Sequence, residues 1–233
     1  MKFHLVNAST LIKDLDVLSL FARACEHQLQ VHAAPRWRWT RTDTVDVAAD
    51  PSHIPPGEVV MGLYDDSDQA DALGWHTEDG SGKIFGRVFV RPVFESGGDL
   101  YTNPTESVSS VLSHEILETR GDPYVVDWYQ RQDGTLVAAE LGDPVQGDNY
   151  MVNVMGKFVR VSNFILPAWR DAFGRGPFDY LGKLRHAFGM TPGGYMITQE
   201  AGAVSEVFGA EVPAWKREAI LSGKSARASR RRC

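Results

Sequence analysis

The stretch Ser113–Asp122 reads SHEILETRGD and combines one histidine with three acidic residues. His114 and Glu118 are four residues apart, so on a helix their side chains project from the same face, one turn apart. At this spacing two side chains can bind one metal ion, as they do in H-E-x-x-H helices. Glu115 points about 100° away around the helix, where a carboxylate can take a proton from a water molecule on the metal. The stretch therefore predicts a metal site with a neighbouring general base.

The flanking residues predict that this stretch belongs to a well-bounded helix. The segment 103–106 reads NPTE and combines an Asn cap, a proline at the first helical position and an acid at the third. Gly121, followed by Pro123, predicts that the helix ends after about Thr119. Apolar residues upstream of the metal-site residues give the helix a surface to bury: Val108, Val111 and Leu112.

The segment resembles the active-site helix of zincin metallopeptidases, with Glu118 where most members have the second histidine. It matches the longer metzincin pattern H-E-x-x-H-x-x-G-x-x-H at His114, Glu115 and Gly121, whereas Tyr124 occupies the place of the third histidine. The resemblance implies a zincin-like α+β fold, a Zn²⁺ ion held by His114 and Glu118, and Glu115 as the base that activates water. It also implies a peptide or protein substrate, laid along an edge strand that precedes the helix.

The third metal ligand stays open at this point. Asp122, eight residues after His114, can swing back to the metal beyond Gly121 and is the first candidate, with a turn acid as its other role. Glu140 and Asp143, in the stretch AELGDP, are the alternatives from a separate downstream element. One histidine with carboxylates suits Zn²⁺, and the oxygen-rich set also accepts Mn²⁺ or Ca²⁺.

Two further side chains are candidates for the wall of the cleft. His76 precedes the predicted edge strand and either hydrogen-bonds an oxyanion or is a solvated loop histidine, which the sequence favours. The hydroxyl of Tyr124 could stabilise an oxyanion, or its ring packs after the end of the helix.

The rest of the pattern predicts an α+β protein with a mixed sheet. A first helix is predicted from Leu11 to about Leu29, capped by Ser9 or Thr10, because apolar residues recur there every three or four positions. Ile84–Phe94 is predicted as a long edge strand, because Pro92 cannot donate to a ladder. Other strands are predicted at Lys2–Val6, Val45–Val47, Glu58–Tyr64, Thr135–Glu140, Tyr150–Met155 and Lys157–Val161, with a loop over Asp65–Asp79.

These elements group into two lobes and a tail. Residues 1–121 form a zincin-like lobe with the edge strand and the active-site helix. Residues 122–223 form a loop-rich, aromatic lobe in which a short helix starts at Pro213. Residues 224–233 form a basic tail that we expect to be disordered.

Composition argues against several classes of function. The chain has 233 residues and a formal net charge of −6, and its last ten residues hold five basic side chains and no acid, so the acidic excess lies in the body. An acidic body does not suggest nucleic-acid binding. No stretch approaches the about 18 apolar residues of a membrane span, and Cys25 and Cys233 cannot build a disulfide framework. We therefore expect a cytoplasmic protein, or one within a particle assembled in the cytoplasm.

A metal-dependent peptidase is the favoured function, and two alternatives stay open. The first is a non-catalytic zincin-like subunit of a larger assembly, for example of phage type, with the aromatic C-terminal third or the basic tail as its contact surface. The second is a binding protein with a structural metal ion that is closed to water. The metal content of the purified protein distinguishes the peptidase from the metal-free subunit.

Overall fold

The computed structural model describes residues 1–69 and 72–210. The predicted helix from Pro213 and the basic tail 224–233 lie outside the described residues. Within them the chain is a mixed α+β protein with a mixed sheet, as predicted. No helix in the described ranges is both long and apolar enough to cross a lipid bilayer.

In the described part of the chain the α-helices all lie before residue 122, and most of the strands are short. The α-helices are α1 (Asp16–His27), α2 (Ala34–Trp37), α3 (Val90–Glu95) and α4 (Val108–Gly121), and a π-helical stretch, Gln28–Ala33, joins α1 to α2. The strands are β1 (Lys2–Asn7), β2 (Thr44–Val47), β3 (Val59–Tyr64), β4 (Gly74–Glu78), β5 (Ile84–Phe89), β6 (Trp128–Gln130), β7 (Leu136–Ala138), β8 (Asn149–Val154), β9 (Lys157–Ser162), β10 (Tyr195–Glu200) and β11 (Ala203–Phe208).

The largest sheet has five strands in the order β2-β1-β3-β5-β4. The first four run parallel, and β4 pairs antiparallel with β5 at the edge. The prediction of Ile84–Phe94 as an edge strand is therefore wrong, because the strand ends at Phe89 and lies between β3 and β4. Pro92 lies in the first turn of α3, where a missing N–H leaves no helical acceptor unpaired. The edge strand next to β5 is β4, which falls within the predicted loop Asp65–Asp79.

Helices α1 and α4 contact each other and pack against this sheet. α1 starts at Asp16, later than the predicted Leu11. The hydroxyls of Ser9 and Thr10 donate to the Asp65 carboxylate instead of capping the helix. The apolar cluster between sheet and helices includes Phe3, Leu5, Leu18, Phe21, Met61, Leu112 and Ile116.

The second half of the chain is more regular than predicted. β8 and β9 form a hairpin that packs on α1 and α4, and a second sheet has the order β11-β10-β7-β6. β10 and β11 lie in the region predicted to be loop-rich, and Ala201 and Gly202, both at positive φ, connect them in a tight turn. Phe164 and Leu166 belong to the same apolar cluster as the five-stranded sheet. The division at residue 121 stays a prediction.

Candidate metal centre

Helix α4 carries the predicted ligands at a buried position. Ser107 and Ser110 cap its start reciprocally, because each hydroxyl accepts a hydrogen bond from the backbone N–H of the other. The helix begins after the predicted segment, and the Asn103 side chain instead caps the turn that precedes it. Every residue from Val108 to Thr119 is buried. The polar residues of the HExxE motif therefore lie inside the fold.

The one-turn spacing brings His114 and Glu118 together as predicted. Nε2 of His114 lies 3.1 Å from Oε1 of Glu118 and 3.3 Å from Oδ1 of Asp143. The side chains of His114, Glu118 and Asp143 are 8 %, 5 % and 3 % exposed. One imidazole nitrogen and two carboxylates thus meet in the interior.

Two glycines allow the segment that carries Asp143 to approach α4. A Cβ on Gly142 would come within 2.4 Å of Nδ1 of His114, and a Cβ on Gly121 would come within 2.1 Å of a leucine side chain in the same segment. The backbone N–H groups of Gly142 and Asp143 donate to Oε1 of Glu118 at 3.1 and 3.2 Å. These contacts fix the orientation of the Glu118 carboxylate, as backbone donors do for carboxylates that bind metal ions.

The structure adds His76 to the site, although the sequence favoured a solvated loop histidine. His76 lies on β4 and is 5 % exposed. Its Nδ1 is 3.4 Å from Oε2 of Glu115 and 3.9 Å from Oε2 of Glu118. Its Nε2 is 3.2 Å from the carbonyl oxygen of Asp122. A carbonyl only accepts, so Nε2 carries a proton and Nδ1 faces the carboxylates.

Among the described residues, two groups of three side chains could each hold a metal ion. One group is His114, Glu115 and Glu118, and the other is His76, Glu118 and Glu140. Within each group the candidate ligand atoms lie within 4.8 Å of one another, and Glu118 belongs to both. Buried nitrogen and oxygen donors of this kind fit a divalent cation such as Zn²⁺ or Mn²⁺.

Asp122, the first candidate for the third ligand, lies outside both groups. Its carboxylate accepts hydrogen bonds from the backbone N–H groups of Val126 and Asp127 at 3.1 and 3.0 Å, which close the turn after α4. This geometry does not support Asp122 as a ligand. Of the downstream alternatives, Glu140 belongs to the second group. Asp143 is in neither group, but its Oδ1 lies 3.3 Å from Nε2 of His114.

Two small cavities flank Glu115. One, of about 30 Å³, is lined in part by His114, and the other, of about 20 Å³, is lined in part by His76 and Glu140. A cavity of this size has room for about one water molecule or ion. Tyr124, at the place of the third metzincin histidine, lines neither cavity, and its side chain is 52 % exposed.

The carboxylates control the protonation of the site without metal. Burial lowers the pKa of His76, but the neighbouring carboxylates, led by Glu115, outweigh it and raise the pKa to about 9. Burial also lowers the pKa of His114, whereas Glu118 and Asp143 raise it well above its usual value. Burial and Asp143 together raise the pKa of Glu118 to about 7. Protons therefore balance part of the negative charge that a cation would balance.

We expect the metal-free protein to lose stability as the pH rises from about 5 to 9. The protonated His76 stabilises the fold fully below pH 6.5, its ordinary pKa, and this contribution is lost as the pH rises through about 9. Ionising the buried Glu118 costs the folded protein free energy, and this cost grows between pH 4.5 and about 7. It therefore also lowers the stability as the pH rises. Each shift is worth on the order of 3 kcal/mol, or several degrees in melting temperature for a chain of this size.

Thermal unfolding in chelator and in excess Zn²⁺ measures this effect. In Zn²⁺ the trend is expected to flatten or reverse, because a bound cation displaces the protons. The control is the His76→Gln variant, which should show a shallower decline in chelator. A melting temperature that stays constant or rises from pH 5.5 to 9 in chelator would contradict the assignment of these charges.

No protein-family model, curated protein or solved structure matches this chain. The main feature of the site is a buried set of two imidazoles, those of His76 and His114, among four carboxylates, those of Glu115, Glu118, Glu140 and Asp143.

Proposed function

We propose that the protein is a metal-dependent hydrolase that cleaves peptide bonds, with His114, Glu118 and Asp143 holding the metal ion. The observation that carries this proposal is the position of His114 Nε2, 3.1 and 3.3 Å from two buried carboxylates and one residue before Glu115. When bound there, a divalent cation such as Zn²⁺ would lower the pKa of a water molecule and polarise the carbonyl group of the substrate. Nitrogen and oxygen ligands of this kind suit Zn²⁺.

In this proposal Glu115 accepts the proton of the attacking water. It follows His114 on α4, so its side chain leaves the helix away from the ligand face, and it lines both small cavities. Its Oε2 contacts Nδ1 of His76 at 3.4 Å, which holds the carboxylate in place. General-base assistance by a positioned carboxylate raises rates by about 10²–10⁴.

The edge strand β4 supports a peptide as the substrate. Among the described residues β4 pairs with β5 alone, so its other edge has no strand partner. Gly74 of β4 lies so close to the site that a Cβ would come within 2.9 Å of Oε1 of Glu115. An extended peptide can add to such an edge through backbone hydrogen bonds. A strand, a helix and further strands, including the edge strand β4, precede the HExxE helix, and this order resembles that of zincins.

A closed structural metal site is the second candidate. The cavities beside Glu115 measure only about 30 and 20 Å³, and the ligand side chains are at most 8 % exposed. A structural site fills its coordination positions with protein atoms, whereas a catalytic site keeps one for water. A non-catalytic subunit of a larger assembly would have a site of this closed kind.

Cobalt substitution and a peptide assay distinguish the two candidates. In the Co²⁺-loaded protein, a peptide hydroxamate should change the visible absorption of an open site and leave that of a closed site unchanged. The Zn²⁺-loaded protein is also incubated with a mixture of unstructured peptides, and cleavage is followed by mass spectrometry with a chelator-treated control. Cleavage that requires metal supports the hydrolase. No cleavage together with an unchanged cobalt spectrum contradicts it.

A further inference from the structure

We propose that the site holds two divalent cations, bridged by the carboxylate of Glu118. The first cation is that of the proposed function, on which this inference rests, with His114 and Asp143 as its other ligands. The second is held by His76, Glu118 and Glu140, whose candidate ligand atoms lie within 4.8 Å of one another.

The two oxygens of Glu118 face different histidines. Oε1 lies 3.1 Å from Nε2 of His114, and Oε2 lies 3.9 Å from Nδ1 of His76. The backbone N–H groups of Gly142 and Asp143 hold Oε1 in place. A carboxylate fixed between two imidazoles is placed to bridge two ions, which lie about 3.5–4 Å apart in the two-metal sites of hydrolases.

His76 has the orientation of a metal-ligating imidazole. In metal proteins such a ring donates the N–H of its other nitrogen to a backbone carbonyl or a carboxylate, which fixes the tautomer. Nε2 of His76 makes this contact with the carbonyl oxygen of Asp122 at 3.2 Å. Nδ1 is therefore the nitrogen that faces Glu115 and Glu118, at 3.4 and 3.9 Å.

Space and charge agree with a second cation. The cavity of about 20 Å³ is lined by His76, Glu118, Glu140 and Asp143 among others, and it has room for one ion or water. With both imidazoles neutral, one divalent cation balances only half of the charge of the four buried carboxylates. Two divalent cations balance all of it. Burying uncompensated charge is costly, so the acid-rich composition of this interior is explained by two ions better than by one.

The number of bound ions tests the proposal on the full-length protein. The protein is stripped with chelator, dialysed against Zn²⁺ or Mn²⁺ and analysed by elemental mass spectrometry. We expect two ions per chain in the wild type, and one in Glu140→Gln and in His76→Gln. The matched control is His4→Gln, which alters another buried histidine, one that is paired with Glu58. His4 lies on β1, which β3 and β5 separate from β4 in the sheet, so this variant should keep two ions. Circular dichroism checks the folding of each variant.

Electron paramagnetic resonance adds a test that needs no variant. Two Mn²⁺ ions bridged by Glu118 are expected to give the spectrum of an exchange-coupled pair, and Glu140→Gln that of an isolated ion. One ion per chain in the wild type, without coupling, overturns the second site and leaves the proposed hydrolase site standing. No bound ion overturns both. Two ions in Glu140→Gln and in His76→Gln would place the second ion elsewhere and overturn the assignment.

Discussion

His114→Ala is expected to remove one metal ion per chain and to lower the melting temperature of the metal-loaded protein by about 10 °C. His114 supplies the nitrogen that faces both Glu118 and Asp143, at 3.1 and 3.3 Å. Without it the first site keeps only carboxylate oxygens, which bind Zn²⁺ less tightly and less selectively. Elemental analysis and thermal unfolding with and without metal measure the two effects.

His4→Ala is the matched control for this variant. His4 is also a buried histidine with a carboxylate partner, Glu58, but it lies on β1 outside the candidate metal groups. Its removal should leave the metal content unchanged. If His114→Ala retained as much metal as the wild type, the ion would lie elsewhere and the peptidase proposal would lose its basis.

Glu115→Gln is expected to leave the metal content and the fold unchanged and to reduce the rate of peptide cleavage by about 10²–10⁴. The amide is nearly the same size as the carboxylate, but it cannot accept the proton of the attacking water. The side chain keeps its place beside His76, so the packing of β4 against α4 is retained. Turnover of a peptide found in the cleavage assay, measured at saturating metal, gives the rate.

The control here is Glu95→Gln, which removes an exposed carboxylate on α3. This variant should cleave the peptide at the wild-type rate. Equal turnover in Glu115→Gln and the wild type would exclude Glu115 as the base. A loss of metal from Glu115→Gln would instead make Glu115 a ligand of the first ion.

The HExxE part of the site could be predicted because it depends on one helix alone. The spacing of His114 and Glu118 determines their common face wherever the helix packs. The position of Gly121 also had a local signal, since a glycine after a helical pattern predicts its end. Gly121 also lets the segment that carries Asp143 pack closely against α4, and this contact is visible only in the tertiary structure.

The remaining residues of the site come from separate elements, whose positions the sequence did not specify. His76 reaches the site because β4 pairs with β5, and β4 lies in an acidic stretch that is typical of a loop. The sequence signal for a strand here was the alternation of residue types, with Trp75 and Thr77 on one face and His76 on the other. Asp122 was preferred as third ligand for its nearness to His114 in sequence, but its carboxylate closes its own turn.

The errors in the fold have similar physical causes. Pro92 suggested an edge strand, but the strand ends before it and the chain turns into α3. Gly202 marked the turn between β10 and β11, and both strands contain β-branched residues, so this hairpin had a local signal that the surrounding glycines and prolines obscured. The end of β5 before Pro92 depends on tertiary packing, whereas the residues of the turn are enough to predict the β10–β11 hairpin.

The most direct test is anomalous diffraction from a crystal of the Zn²⁺-loaded protein, recorded on both sides of the zinc absorption edge. A difference peak is predicted within about 2.0–2.2 Å of Nε2 of His114 and of a carboxylate oxygen of both Glu118 and Asp143. A map without a peak at these side chains, or with its peak at another part of the chain, would contradict the metal centre.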